Sequence, residues 1–146
     1  MKSSYVCLLM TVIYLSGYSQ ITNPAPYCAA TCSNGCGSNH ISNVTTSGGV
    51  VNITNTNSGC SNAIGYMYYC NHYLATNPGA SVNFTVNIYS SAVHGIKAYI
   101  DWNQDNSFAE TEVIGVTPTW VTTTFTYNLA VPQVPNGTYR MRIRSI

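Results

Sequence analysis

The 146-residue chain has little charge: five Lys or Arg and four Asp or Glu, 6% of its positions, where an ordinary soluble domain carries about a quarter. With no basic excess to neutralise phosphates, nucleic acid is not expected as a partner. Blocks of like charge are missing too, which argues against an acidic or basic disordered tail. No window repeats apolar residues at helical spacing for three turns, so a helical bundle or coiled coil is excluded. Beyond Gln20 no apolar run is long enough to cross a bilayer, and no membrane span is expected. The chain lacks a His-Glu-x-x-His helix and a glycine-rich phosphate loop, and His40, His72 and His94 stand in no recognisable catalytic setting. It therefore reads as non-enzymatic.

What fills the chain instead is Asn, Ser and Thr, 48 of the 146 positions, together with 12 Tyr. An uncharged, Thr- and Tyr-rich composition points first to β structure. The N-terminus opens with Lys2, continues with the apolar run 5–15 and ends in Ser16-Gly17-Tyr18-Ser19. This three-part layout predicts a secretory signal over 1–19, cleaved between Ser19 and Gln20, and hence a secreted or cell-surface protein. Outside the cytosol thiols are free to pair. Cys7 leaves with the signal, and Cys28, Cys32, Cys36, Cys60 and Cys70 remain as disulfide candidates, with one odd thiol. Zinc is the competing reading for the first three, but their spacing lacks the tight Cys-x-x-Cys knuckle. Residues 20–40 form a Cys-rich lead-in, and 41–146 the folded domain.

Within that domain short alternating segments are separated by turn residues such as Ser47-Gly48-Gly49, Asn77-Pro78-Gly79 and Pro135-Asn136-Gly137. In 80–89, Val82, Phe84, Val86 and Ile88 share one side, and Asn83, Thr85 and Asn87 the other. In 95–101, Ile96, Ala98 and Ile100 are expected inside, Lys97 and Tyr99 outside. In 120–129, Val121, Phe125, Tyr127 and Leu129 oppose Thr122, Thr124, Thr126 and Asn128. Segment 138–146 buries Tyr139, Met141 and Ile143 and presents Arg140, Arg142 and Arg144 together. Weaker strand signals cover 41–45, 50–54, 64–69 and 112–116. Period-two patterning of this kind predicts an all-β, antiparallel β-sandwich, jelly-roll or immunoglobulin-like, of about eight short strands. The final strand runs into Ile146 without a turn, which leads us to expect a longer parent protein.

All four carboxylates lie between Asp101 and Glu112. Asp101, Asn103 and Asp105 alternate as oxygen ligands do in a calcium loop, with Ser107 next in the series and Glu112 at the twelfth position to close the cage. Asn106 stands where such loops carry Gly, and Asn is the next best residue at positive φ. Ca2+ is the one cofactor this pattern offers. The plainer alternative is that the same Asp and Asn side chains cap backbone amides in a long turn, with Glu110 and Glu112 at the surface. Arg140, Arg142 and Arg144 offer three guanidinium groups to an acidic ligand, or protect an edge strand. Tyr68 and Tyr69 offer rings to a sugar face, or pack into the sandwich.

The runs Ala98-Tyr99-Ile100-Asp101-Trp102-Asn103-Gln104-Asp105-Asn106-Ser107-Phe108, Glu112-Val113, Val131-Pro132 and Gly137-Thr138-Tyr139-Arg140-Met141-Arg142-Ile143-Arg144 resemble the GEVED domain of secreted and surface proteins of Bacteroidetes-type bacteria. Tyr27-Cys28 and Asn55-Thr56-Asn57-Ser58-Gly59-Cys60 are similar to that family's lead-in, so the resemblance spans 27–146. It departs at 110–115, where the pentapeptide that names the family is not intact, and at Asn106. The resemblance implies a β-sandwich accessory module of a larger secreted protein. Three roles follow as expectations: a non-catalytic binding or spacer module for adhesion to a glycan or protein, an accessory part of a secreted hydrolase such as a metallopeptidase, or a carbohydrate-binding module.

Overall fold

A computed structural model of the chain describes residues 26–27, 40–59, 67–69, 71–89, 94–117 and 123–146. The expected signal at 1–19, all five cysteine candidates, and segments 64–66 and 120–122 lie outside the described residues. Among the described residues there are seven strands, against about eight expected for the whole chain: β1 (His40–Ser47), β2 (Thr54–Asn55), β3 (Ser81–Tyr89), β4 (Ile96–Ile100), β5 (Val113–Val116), β6 (Thr124–Ala130) and β7 (Met141–Ser145), with one 3-10 turn at Glu110–Glu112. They form two antiparallel sheets, β2-β1-β3-β6 and β5-β4-β7. The chain changes sheet after β3, after β5 and after β6.

The two sheets close on each other because β3 alternates strictly. Val82, Phe84, Val86 and Ile88 are all buried, while Ser81, Asn83 and Tyr89 are exposed. In register with it, β6 places Leu129 opposite Val82, Tyr127 opposite Phe84 and Phe125 opposite Val86. From the other sheet Ile96, Ala98 and Ile100 of β4 and Ile114 of β5 meet this layer, with Met141 and Ile143 of β7 half-buried against it. Burying such a side chain contributes about 1.5–3 kcal/mol. The sandwich therefore rests on the apolar half of a period-two pattern.

Three expectations need correction. Tyr99 was expected outside but is only 5% exposed, because the loop after β4 folds back and lays Phe108 against its ring, 6.0 Å between centroids. Alternation reports which side a residue faces, not whether a loop covers that side. Segment 50–54 forms no continuous strand: Val51 makes an isolated bridge to Ala75, and β2 is confined to Thr54 and Asn55. Residues 67–69 are not extended into a sheet either. Among the weaker signals, 41–45 and 112–116 are realised in β1 and β5.

Two glycines set close approaches. Gly48 turns β1 toward β2 at φ +93, and a Cβ there would sit 2.7 Å from the Ser81 carbonyl oxygen. Gly115 lies under the Tyr127 ring, where a Cβ would meet ring carbons at 2.9–3.2 Å. Tyr127 thereby spans from β6 to the edge of the facing sheet. Gly115→Ala is expected to lower stability by about 1–3 kcal/mol through overpacking. Urea unfolding checks it: the loss in Gly115→Ala should shrink when Tyr127→Leu removes the flat ring, and additive losses would contradict the contact.

Candidate functional site

The site begins where β4 ends. The ladder between β4 and β7 pairs Ile100 with Met141 and Tyr99 with Arg142, and it is extended by the Asp101 amide, which donates to the Arg140 carbonyl at 3.0 Å. Asp101 is thus fixed by backbone and is fully buried. Its carboxylate organises the following turn: Oδ1 accepts the Asp105 amide at 3.2 Å and Oδ2 the Asn106 amide at 3.0 Å. The same Oδ2 accepts the Tyr27 hydroxyl at 2.5 Å. Asn106, which stands where calcium loops carry Gly, has φ +67, and Gln104 also lies in the left-handed region at φ +59. Outside the turn, Gln104 Nε2 donates to the Thr138 carbonyl, and Trp102 packs on Tyr139, 5.2 Å between centroids.

The other members of the expected ligand set have unequal positions. Asn103 Oδ1 accepts the Asp105 amide at 2.9 Å, and Asp105 Oδ1 accepts the Ser107 amide at 2.8 Å, both as turn caps. Asn103, Asp105 and Ser107 are exposed. Glu112 is not at the surface: it is 5% exposed, held by Oε2 accepting the Ala109 amide at 3.0 Å. Asp101, Asp105 and Glu112 each offer a carboxylate oxygen within 4.8 Å of the others. Two carboxylates at that separation repel by roughly 3 kcal/mol at the effective dielectric of a protein surface. The second oxygen of Glu112, Oε1, is buried without a hydrogen-bond partner among the described residues. Backbone capping therefore accounts for Asp101, Asn103 and Asp105, but leaves one buried anionic oxygen unanswered. Glu110, the fourth acid, is exposed and pairs with Lys97 at 2.5 Å. That hydrogen bond raises the lysine's pKa.

The arginine row lies beside the loop on the outer side of the three-stranded sheet. The Arg142 guanidinium sits 4.3 Å from the Phe108 ring centroid. Arg140 is flanked by Tyr27 at 4.8 Å and Tyr68 at 5.0 Å. Both arginines are half-buried, and Arg144 is exposed. Tyr68 and Tyr69 are half-buried as well; the Tyr69 hydroxyl donates to the Ser58 carbonyl and its ring meets His72 edge-on. Tyr27 had not stood out as a site residue. It reaches Asp101 across 74 positions of sequence and stacks on Phe108 at 4.9 Å, and no local pattern announces a contact at that separation. Phe108 was visible only as part of the family-like run.

Burial, then the hydrogen bond to Asp101, push the Tyr27 phenol from 10.0 up to about 12. A raised value stabilises the fold while the group stays protonated, so this contribution is complete below pH 10 and is lost as pH rises through about 12. Alkaline difference absorbance should show one late-ionising tyrosine that is missing in Tyr27→Phe. The same variant should lose about 1.5 kcal/mol, the value of a hydrogen bond to a charged acceptor. An unchanged titration curve would contradict the Tyr27–Asp101 contact.

Searches of curated proteins and of solved structures gave no match. A family model does match, over 95–146. That span holds β4 to β7 and the whole acidic loop, while β1 to β3 precede it and supply three of the four strands of the other sheet. Residues 95–146, which carry the acidic loop and the arginine row, match the model of the GEVED domain.

Proposed function

We propose that the chain is a secreted, non-catalytic β-sandwich module of a larger extracellular protein, and that its loop from Asp101 to Glu112 holds a Ca2+ ion that stiffens it. The observation that carries the metal reading is the buried, unpartnered Glu112 Oε1 beside the carboxylates of Asp101 and Asp105. An all-oxygen, carboxylate-rich set favours a hard cation, and weak sites of extracellular modules have dissociation constants of about 0.1–1 mM. The ion would offset the mutual repulsion of three acids and would answer the one oxygen that the turn does not cap. Secretion is supported by the signal-like pattern of 1–19, and a binding or spacer role by the GEVED match. The four acids are occupied as turn caps, as a surface ion pair and as this ligand set, an arrangement that suits a structural loop better than acid–base chemistry.

Titration with Ca2+ tests the reading. Millimolar Ca2+ should raise the thermal midpoint and chelator should reverse it, since a ligand at about ten times its dissociation constant stabilises by about 1.4 kcal/mol. Tb3+ bound in the loop should luminesce through Trp102, be displaced by Ca2+, and bind at least about tenfold more weakly to Glu112→Gln, where a carboxylate ligand is lost. A midpoint indifferent to Ca2+, with no Tb3+ signal, would remove the metal from the proposal.

A further inference from the structure

The outer face of the four-stranded sheet differs in kind from that of its partner. Residues directly opposite in an antiparallel pair share a face, so the registers define the rows that cross it. Thr54 pairs with Thr45, Thr45 with Thr85, and Thr85 with Thr126, giving one threonine on each of the four strands in a single line. On one side of this line runs the row Ser47, Asn83, Asn128, and on the other the row Asn43, Asn87, Thr124. Rows lie about 7 Å apart along the strands, and neighbours within a row about 5 Å. Thr54, Ser47, Asn83, Asn128, Thr124 and Thr126 are exposed and Asn43, Thr45, Thr85 and Asn87 half-buried, so among the described residues no loop covers this array as Phe108 covers Tyr99.

The array is held in place by its own side chains. Ser81 Oγ donates to Asn128 Oδ1 at 2.7 Å, Asn128 Nδ2 to Asn83 Oδ1 at 2.8 Å, and Asn87 Nδ2 to Thr124 Oγ1 at 3.1 Å. Fixed amides and hydroxyls lose little freedom on meeting a ligand. A shallow depression of about 340 Å3 opens between Asn83, Thr85, Thr126 and Asn128, a volume at the lower end of small-ligand sites. β1, β2, β3 and β6 contain no Asp, Glu, Lys or Arg. Surface sheets ordinarily carry such charges, which protect against edge-to-edge association. Here Lys97, the four acids and the three arginines all belong to the other sheet and its loops.

We infer that this face binds a neutral polysaccharide, laid across the threonine row with a sugar ring in the depression between Asn83 and Asn128. An uncharged surface offers no counter-charge to sulfated or acidic glycans, nucleic acid or anionic lipid. Hydroxyl and amide groups each donate and accept, which matches a polymer of hydroxyl groups. The inference rests on the reading of the chain as a binding module, and it uses none of the cation-loop residues.

Affinity electrophoresis of the full chain through gels containing hydroxyethyl cellulose, laminarin, dextran or mannan tests it, with alginate and heparin as anionic controls. At least one neutral polymer should retard the protein and the anionic ones should not. Thr85→Val with Thr126→Val keeps strand-favouring shapes but removes two hydroxyls, and should weaken retention at least about tenfold with an unchanged circular dichroism spectrum. Asn128→Ala, at an exposed position, should weaken it independently if the double variant does not fold. Arg144→Ala, on the opposite sheet, should retain full binding, and chelator should leave retention unchanged. Retention by none of the four neutral polymers, retention only by the anionic ones, or equal retention of folded threonine and asparagine variants would overturn the inference. Loss of retention with chelator would overturn it too, by moving binding to the acidic loop.

Discussion

The β3–β6 register is the constraint on which the rest of the molecule depends. It sets Val82 against Leu129, Phe84 against Tyr127 and Val86 against Phe125 inside the sandwich, and the same pairing sets Asn83 against Asn128 and Thr85 against Thr126 outside. Because the side-chain period is two, a slip of one residue would exchange the two faces completely. Core and surface are therefore one decision. The apolar side closes over β4 and β5, which carries the start of the acidic loop to its place beside β7.

That loop shows how far a local pattern reaches. The alternation of Asp101, Asn103 and Asp105, with Glu112 later, was legible because turn geometry and ligand geometry both act over a few residues. Asn106 at positive φ follows from the same local chemistry. The unequal fates of these residues were not legible. Asn103 and Asp105 remain at the surface, while Glu112 is buried, because β5 follows the 3-10 turn directly and draws its first turn inward. The Tyr27 hydroxyl on Asp101 and the Phe108 ring over Tyr99 depend on how distant segments pack, for which a linear pattern holds no signal.

The fold class and the central strands could be read from period two alone, since burial on one side is what alternation encodes. Short, irregular pairings could not. Val50 and Val51 look strand-forming, yet Val50 is exposed and Val51 makes a single bridge. Arg142 and Arg144 alternate along β7, with Arg140 just before it, but the environment of the row was not foreseen. Aromatic rings from Tyr27, Tyr68 and Phe108 flank Arg140 and Arg142, so two of the three cations are built into the wall of the site and only Arg144 meets solvent freely. Packing of this kind contributes through ring faces and aliphatic stems as well as through charge.

Tyr27 joins the beginning of the described chain to its last third, and it does so at one atom of Asp101, whose own amide is tied to the strand that carries the arginines. A pull on the chain at Tyr27 would therefore load the acidic turn directly through that hydroxyl, and through Asp101 the end of β4, rather than reaching them only by way of β1.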